Sequence, residues 1–463
     1  MAFHFRDLWR WDGKVGRAEY AVVGIVGIFI KHNLDRLIAS AYLGYGDTFF
    51  NYWAPLGKAA RLDHLSSAET RFLVTLLLFS IPFLWVGVAM TVQRLRDAGQ
   101  PMWLVVLFFV PVINVLFFLA LCALPPRDLA QEAEGAPWPG PSGLDGLIPA
   151  SKLGSAVLAI FLTAALGFFF MVMGTMVLGA YGWGLFVALP FCLGMFSVLV
   201  YSYHSPRDLS ACVSVALLPV GILGAVLVLV AFEGVICVLM AAPFALALAV
   251  VGGMIGYTIQ QRHWGAKQRP AMLSLVILLV PATFGIEHAA ALRPPMFEVR
   301  TAIEVNAPPE KVWNQVVAFA EIPPPKELLF RAGIAYPIRA EISGRGVGAV
   351  RHCVFSTGPF VEPIEVWDEP RLLQFGVTAN PAPLNELTPY GHIDAPHLHG
   401  YFVSEKGQFL LTALPGGRTR LEGTTWYHDT IWPAAYWHLW SDYIIHRIHL
   451  RVLQHIREEA ERH

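Results

Sequence analysis

The most chemically loaded stretch of the chain is Glu386-Leu387-Thr388-Pro389-Tyr390-Gly391-His392-Ile393-Asp394-Ala395-Pro396-His397-Leu398-His399. His397 and His399 alternate, so on a strand they would face one side; with His392 or Asp394 they could complete a metal site. Their spacing follows no zinc signature, and a surface loop with hydrogen-bonded histidines is the favoured reading, so no metal and no other cofactor is expected. A second set, Asp442, His446 and His449, shares one face of the last expected helix. That pattern suits a general acid and base, although a structural cluster against Trp426, Trp437 or Trp440 is the favoured reading. His399, Asp442 and His446 are therefore the candidate catalytic groups, unsupported by any motif. No Ser-His-Asp elbow, phosphate-binding loop or paired-carboxylate motif is present, and Gly344-Arg345-Gly346-Val347-Gly348 reads as a hairpin turn because it lacks a strand–helix context.

These residues sit in a chain of two compositions. Of 463 residues, 55% are hydrophobic and 14% charged, with 33 Lys+Arg against 34 Asp+Glu, and the mean hydropathy is +0.52. Soluble proteins carry about a quarter charged residues, so the average indicates a membrane protein. It excludes disorder, and a net charge of −1 leaves no basic excess for nucleic acid. The charge is uneven: residues 1–295 hold 18 basic and 15 acidic residues, and 296–463 hold 15 and 19. Of the five cysteines, Cys122, Cys192, Cys212 and Cys237 lie in apolar runs and read as small hydrophobes; Cys353 stands alone in the polar part, and no CxxC occurs.

Windows long enough to cross a bilayer fall at 71–92, 102–124, 153–179, 183–201, 210–231, 234–257 and 271–291, with a weaker one at 18–40 crowded by Lys31, His32, Asp35 and Arg36. About seven to nine spans are expected. The first residues lack the apolar region of a cleavable signal. Arg6, Arg10, Lys14 and Arg17 place the N-terminus in the cytoplasm, as do Arg94 and Arg96, Lys152, Arg207 and the cluster Arg262, Lys267, Arg269 for their breaks. The breaks at 180–183 and 232–234 carry no basic residue and should face outward. One conflict remains: 102–124 joins two breaks both assigned to the cytoplasm. Pro111 and Asn114 sit mid-segment, so a re-entrant hairpin resolves it and puts the chain after Ala291 outside; a full pass would put it in the cytoplasm. The re-entrant form is slightly favoured. The five later spans hold no interior charge, which disfavours ion-coupled transport, and Glu287 and His288 read as interface anchors.

Two motifs mark the first region. Gly13-Lys14-Val15-Gly16-Arg17-Ala18-Glu19-Tyr20 opens the first span, and Gln93-Arg94-Leu95-Arg96-Asp97-Ala98-Gly99 follows the second. With their order at membrane borders they resemble the DUF805 family of small bacterial inner-membrane proteins, over roughly 5–127. The family has no established biochemical function; Arg96 stands where a His is common in it. Arg17, Glu19, Arg94, Arg96 and Asp97 can pair to fix two helix ends together, or, in the favoured reading, the arginines contact lipid phosphates. The chain thus divides into a DUF805-like region 1–127, a Pro/Gly-rich linker 128–151, a five-span region 152–292 and a soluble domain 296–463.

In that last domain 297–305 alternates as a strand, Asn306 can cap a helix Pro309–Phe319 that buries Val312, Trp313, Val316 and Val317, and 337–343, 347–357, 360–367, 371–379, 398–404, 408–414 and 418–427 alternate again. Glu405-Lys406-Gly407 is among the turns between them, and 433–461 is a long helix. The opening Ile303-Glu304-Val305-Asn306-Ala307-Pro308-Pro309-Glu310-Lys311-Val312-Trp313 and the ending Gly417–Tyr427 plus Trp437–His449 resemble the START-like superfamily (SRPBCC, polyketide cyclase/dehydrase and lipid transport proteins). The resemblance implies an α+β helix-grip fold, an antiparallel sheet wrapped on a long C-terminal helix, behind a transmembrane helical bundle. It also implies binding of a hydrophobic or amphipathic small molecule, for which Trp313, Arg351, Phe375, His399, Trp426 and Trp440 are the candidate ligand contacts. The expected protein is a multi-pass bacterial inner-membrane protein whose partners are the bilayer and a lipid or other hydrophobic ligand, bound or transferred. A cyclase or hydrolase acting on a hydrophobic substrate, and a ligand-sensing membrane protein, are the competing readings; oligomeric state stays open.

Overall fold

The computed structural model describes residues 5–43, 67–109, 113–126, 147–261, 268–290, 292–390, 393 and 395–462. The linker expected at 128–151 falls largely outside them, as do His392 and Asp394. The chain forms two compact units. The first comprises Met1–Leu178, Val187–Glu233 and Ala241–Phe284; the second comprises Gly179–Phe186, Gly234–Met240 and Gly285–His463.

The first unit is helical. In chain order it holds α1 (Arg17–Leu43), α2 (Ser67–Asp97), a 3-10 segment (Met102–Phe109), α3 (Ile113–Ala123), α4 (Lys152–Val172), α5 (Leu189–Tyr201), α6 (Leu209–Leu229), most of α7 (Val235–Gln260) and most of α8 (Gln268–Ala290). Six helices among the described residues are long and apolar enough to cross a membrane: Val74–Asp97, Lys152–Val177, Gly184–Tyr201, Leu209–Leu229, Val235–Gln260 and Ala271–Ala290. The expectation of seven to nine is therefore too high, for two reasons. Helix α1 carries an internal Lys31–Asp35 ion pair of 2.5 Å, and the described residues of 102–124 form a 3-10 piece (Met102–Phe109) and a short helix (Ile113–Ala123).

The end of that short helix is held by one side chain. Arg94, fully buried near the end of α2, donates from Nε to Leu121 O at 2.9 Å. It also bonds Leu124 O through Nη2 and pairs with Asp97 through Nη1. The last carbonyls of a helix have no partner of their own, and here a guanidinium supplies it. The C-termini of α2 and α3 are thereby joined at one end of the unit. Arg96 donates from Nη1 to Trp11 O at 3.0 Å and Gly13 O at 2.7 Å, bringing the start of α1 to that same end. Arg17 and Glu19 take no part in this joint and are exposed. Deeper in the unit, α5 and α7 approach at glycines: a Cβ on Gly194 would lie 2.1 Å from Ala249 O, and one on Gly252 2.0 Å from Phe191 O. Small residues permit this backbone-to-backbone packing in an apolar solvent.

The second unit is α+β. After β1 (Met296–Val305) come α9 (Pro309–Val317), α10 (Leu328–Arg331), β2 (Pro337–Ser343), β3 (Val350–Phe355), β4 (Gly358–Asp368), β5 (Leu372–Gly376), β6 (Phe402–Leu414), β7 (Arg418–Asp429) and α11 (Ala434–Arg462). The strands form one antiparallel sheet ordered β1-β7-β6-β5-β4-β3-β2. Alternation puts Val299, Thr301 and Val305 of β1 inward, all buried. Leu373, Leu421 and the α9 residues Val312, Trp313 and Val316 pack with Leu453 and Ile456 of α11, so the long helix fills the concave side of the sheet. This is the helix-grip arrangement. Three short segments complete the unit: Tyr181 O accepts from Trp432 N at 2.9 Å, Leu387 O from Val235 N at 3.0 Å, and Glu287 Oε2 from Gly184 N at 3.1 Å.

Two local expectations differ. Residues 405–407 make no turn: β6 runs unbroken through them, with only a register shift between Ser404 and Lys406. Gly407 is there because it pairs with Phe375, whose Cε2 would stand 2.5 Å from a Cβ at 407. Nor does the Asn306 side chain cap α9; Pro308 occupies the N-cap, and the Asn306 backbone N donates to Glu461 Oε1 at 2.8 Å.

Arg94→Ala removes two charged hydrogen bonds and an ion pair at a buried position, and is expected to destabilise the full chain in detergent by about 3 kcal/mol. Arg94→Lys should restore less than half, because one ammonium cannot span both carbonyls and Asp97. Thermal unfolding of the three proteins side by side tests this.

Candidate functional site

The interior of the sheet is largely apolar, and one buried ion pair stands within it. A tight turn joins β3 to β4 with Phe355 opposite Gly358, and counting outward makes Arg351 and Glu362 direct cross-strand partners. Both side chains are buried and form an ion pair through Nη1 and Oε2. Arg351 Nε also donates to Val317 O at 3.3 Å. The guanidinium lies 5.6, 5.4 and 5.5 Å from the ring centres of Phe319, Phe375 and Phe409, within cation–π range of all three. Nη2 makes no hydrogen bond among the described residues. Burial pushes the Glu362 carboxyl up from its ordinary value, and Arg351 opposes this. Burial, then the charge of Glu362, pushes the neighbouring Cys353 thiol up to about 12, so it stays protonated and unreactive.

A second polar group bridges sheet and helix. Thr301 Oγ1 shares hydrogen bonds with His446 Nδ1 at 2.9 Å and His449 Nδ1 at 3.1 Å. Thr425 Oγ1 is 2.8 Å from His449 Nε2, and Tyr427 Oη is 2.8 Å from His438 Nδ1. His449 is thus bonded on both ring nitrogens. Burial first, and His446 second, push its pKa down to about 4, so it is neutral at pH 7.

The sequence candidates are distributed between interior and surface. Trp313 is in the core, edge-on to Trp367 at 5.7 Å, and Phe375 is at the Arg351 pair. Trp426 faces the other side of the sheet from Thr425, as alternation requires: its Nε1 donates to Glu298 Oε2 at 3.0 Å and Lys406 lies over its ring. It does not line the interior. Trp440 is half-buried on α11, Asp442 is exposed, and His446 meets His449 at Thr301 while Asp442 joins neither. His397 and His399 are not on a strand. They lie in and just after a 3-10 turn (Pro396–Leu398), His397 buried and His399 exposed, so the two do not face one side. His397 instead meets Cys237, Nε2 to Sγ 3.0 Å. Cys237 reads as a small hydrophobe in its apolar run, and no local pattern pairs it with His397. The Arg351–Glu362 pair lies across the Ser356-Thr357 turn, and alternation by itself did not decide which way Arg351 faces.

In the helical unit the joint at Arg94 and Arg96 carries the residues of the second motif. Residues 8–131 match the family described as "Protein of unknown function (DUF805)". The DUF805 match therefore contains the whole joint, from Trp11 and Gly13 through Arg94 to Leu124. No curated protein sequence matches the chain. Solved structures resemble its C-terminal part. A norcoclaurine synthase from Thalictrum flavum is 11% identical, covering 37% of this chain and 98% of that one with a TM-score of 0.25. The Zhui aromatase/cyclase from a Streptomyces species is 17% identical, covering 36% and 95%, TM-score 0.22. The protein XoxI from Bacillus cereus is 14% identical, covering 35% and 93%, TM-score 0.24.

The depressed His449 pKa fixes the sign of one pH effect. The unfolded chain takes up a proton on this residue near 6.5, the native chain only near 4. Native stability contributed by His449 is complete above pH 6.5 and is lost as the pH falls toward 4. Urea unfolding of the full chain between pH 7 and 4 should show a steeper loss for wild type than for His449→Gln, which carries no titratable ring.

Proposed function

We propose that this is a membrane-anchored protein whose helix-grip domain binds an amphipathic small molecule, its apolar part among the aromatic side chains inside the sheet and an anionic or carbonyl oxygen at Arg351. The observation that carries the reading is the Arg351 guanidinium: buried, ringed by Phe319, Phe375 and Phe409, charge-balanced by Glu362, and with Nη2 making no hydrogen bond. A buried donor of that strength is costly unless something accepts from it. An acceptor on a largely apolar molecule meets both demands of the site. Anchoring beside a bilayer raises the local concentration of a membrane-derived ligand. Transfer and catalysis have weaker support: Asp442 and His399 are exposed and apart from His446.

Topology supports delivery from one particular side. The breaks at 180–183 and 232–234 carry no basic residue, whereas Arg94, Arg96, Lys152 and Arg207 stand in the other breaks. With 102–124 read as a hairpin returning to the side of Arg94, the positive-inside rule places the N-terminus in the cytoplasm and the helix-grip domain outside it, periplasmic if the membrane is a bacterial inner membrane.

Two measurements test these statements. Mass spectrometry of the full chain purified in mild detergent should find an amphipathic molecule at close to one per chain. In Arg351→Met/Glu362→Leu, which removes both charges and keeps an apolar interior, affinity should fall roughly 10- to 100-fold, the loss of one charged hydrogen bond; a folded wild type that carries nothing sinks the reading. Protease added to intact spheroplasts should cut the domain, and protection until lysis would reverse the topology.

A further inference from the structure

A thiol, an imidazole and a carboxylate converge where the first turn of α7 meets the long loop between β5 and β6. Cys237 Sγ lies 3.0 Å from His397 Nε2, and Glu386 Oε1 lies 3.5 Å from that same nitrogen. The ligand atoms are all within 4.8 Å of one another. The Glu386 side chain is 0% exposed, and among the described residues neither of its oxygens accepts a hydrogen bond. The site is also shaped for that carboxylate: a Cβ on Gly234 would stand 1.7 Å from Glu386 Oε2, so only glycine fits beside it. The backbone on both sides of Glu386 is pinned, Asn385 N donating to Gly333 O at 2.8 Å and Leu387 O accepting from Val235 N at 3.0 Å.

The geometry decides between two chemistries. In a nucleophilic Cys–His–acid triad the thiol and the acid sit on opposite ring nitrogens, so that one proton is taken while the other is held. Here thiol and acid meet the same nitrogen, and a single proton on Nε2 cannot serve both. One cation at the point of convergence can take the thiolate, the imidazole nitrogen and the carboxylate together. We propose that Cys237, His397 and Glu386 bind a zinc ion. Sulfur, nitrogen and oxygen donors in one buried set suit this borderline cation. The thiolate and a carboxylate are anionic donors matched to a doubly charged cation. Binding releases the thiol proton to solvent. Tetrahedral ligand atoms lie roughly 3.5 Å apart, so the Cys237–His397 contact opens slightly and the Glu386 contact barely moves. The ion would staple the head of α7 to a loop 160 residues away in sequence.

The test uses the full chain in detergent, stripped with a chelator and titrated with cobalt(II) as a coloured stand-in for zinc. The expected result is one cobalt per chain, a near-ultraviolet thiolate-to-cobalt charge-transfer band, and its displacement by one equivalent of zinc. Cys237→Asp should keep cobalt but lose the band. Glu386→Gln should weaken zinc by at least about tenfold, the effect that even outer-sphere partners have. Cys122→Ala should change nothing. Size-exclusion and tryptophan fluorescence identify any variant that has not folded; the wild-type titration does not depend on them. A wild type without the band, or a band that survives in folded Cys237→Asp, overturns the proposal.

Discussion

Buried carbonyls and buried charges must be paired, and in the helical unit this constraint acts through Arg94. Its guanidinium satisfies the last carbonyls of α3 while pairing with Asp97 at the end of α2. The joint draws the ends of two helices to one place. Arg96 does the same for the carbonyls of Trp11 and Gly13, so both arginines of the motif act on backbone oxygens.

The same rule operates inside the helix-grip domain with a different outcome. Arg351 is paired by Glu362 across a single hairpin, and three aromatic rings complete its surroundings, yet one nitrogen is left without an acceptor. Buried ion pairs seldom add stability over well-packed apolar residues. A charge held in an otherwise apolar interior therefore points to recognition more than to folding. At Cys237, His397 and Glu386 a thiol, an imidazole and a carboxylate meet, and a single cation can take all three.

Much of the fold was legible in local pattern. Alternation located β1 and β7, whereas the register that pairs Arg351 with Glu362 came from the structure. The positions that misled were those whose local chemistry served a distant neighbour. Gly407 looks like a turn residue and is a gap for Phe375. His397 and His399 look like a strand pair, but Pro396 opens a 3-10 turn that buries one and exposes the other. Trp426 reads as an inward aromatic until the register with Glu298 and Thr425 assigns its face.

By itself the sequence determined the partition of the chain into an apolar helical part and a charged α+β part, because charge density and hydrophobic period are local and additive. It also determined where helices and most strands lie. Only the tertiary structure decided that Arg94 joins the ends of α2 and α3, that Arg351 is buried and incompletely bonded among the described residues, and that Cys237 meets two side chains about 150 and 160 residues away. Those outcomes depend on which remote segments share a boundary, and closing such long loops leaves no periodic mark on the residues that meet.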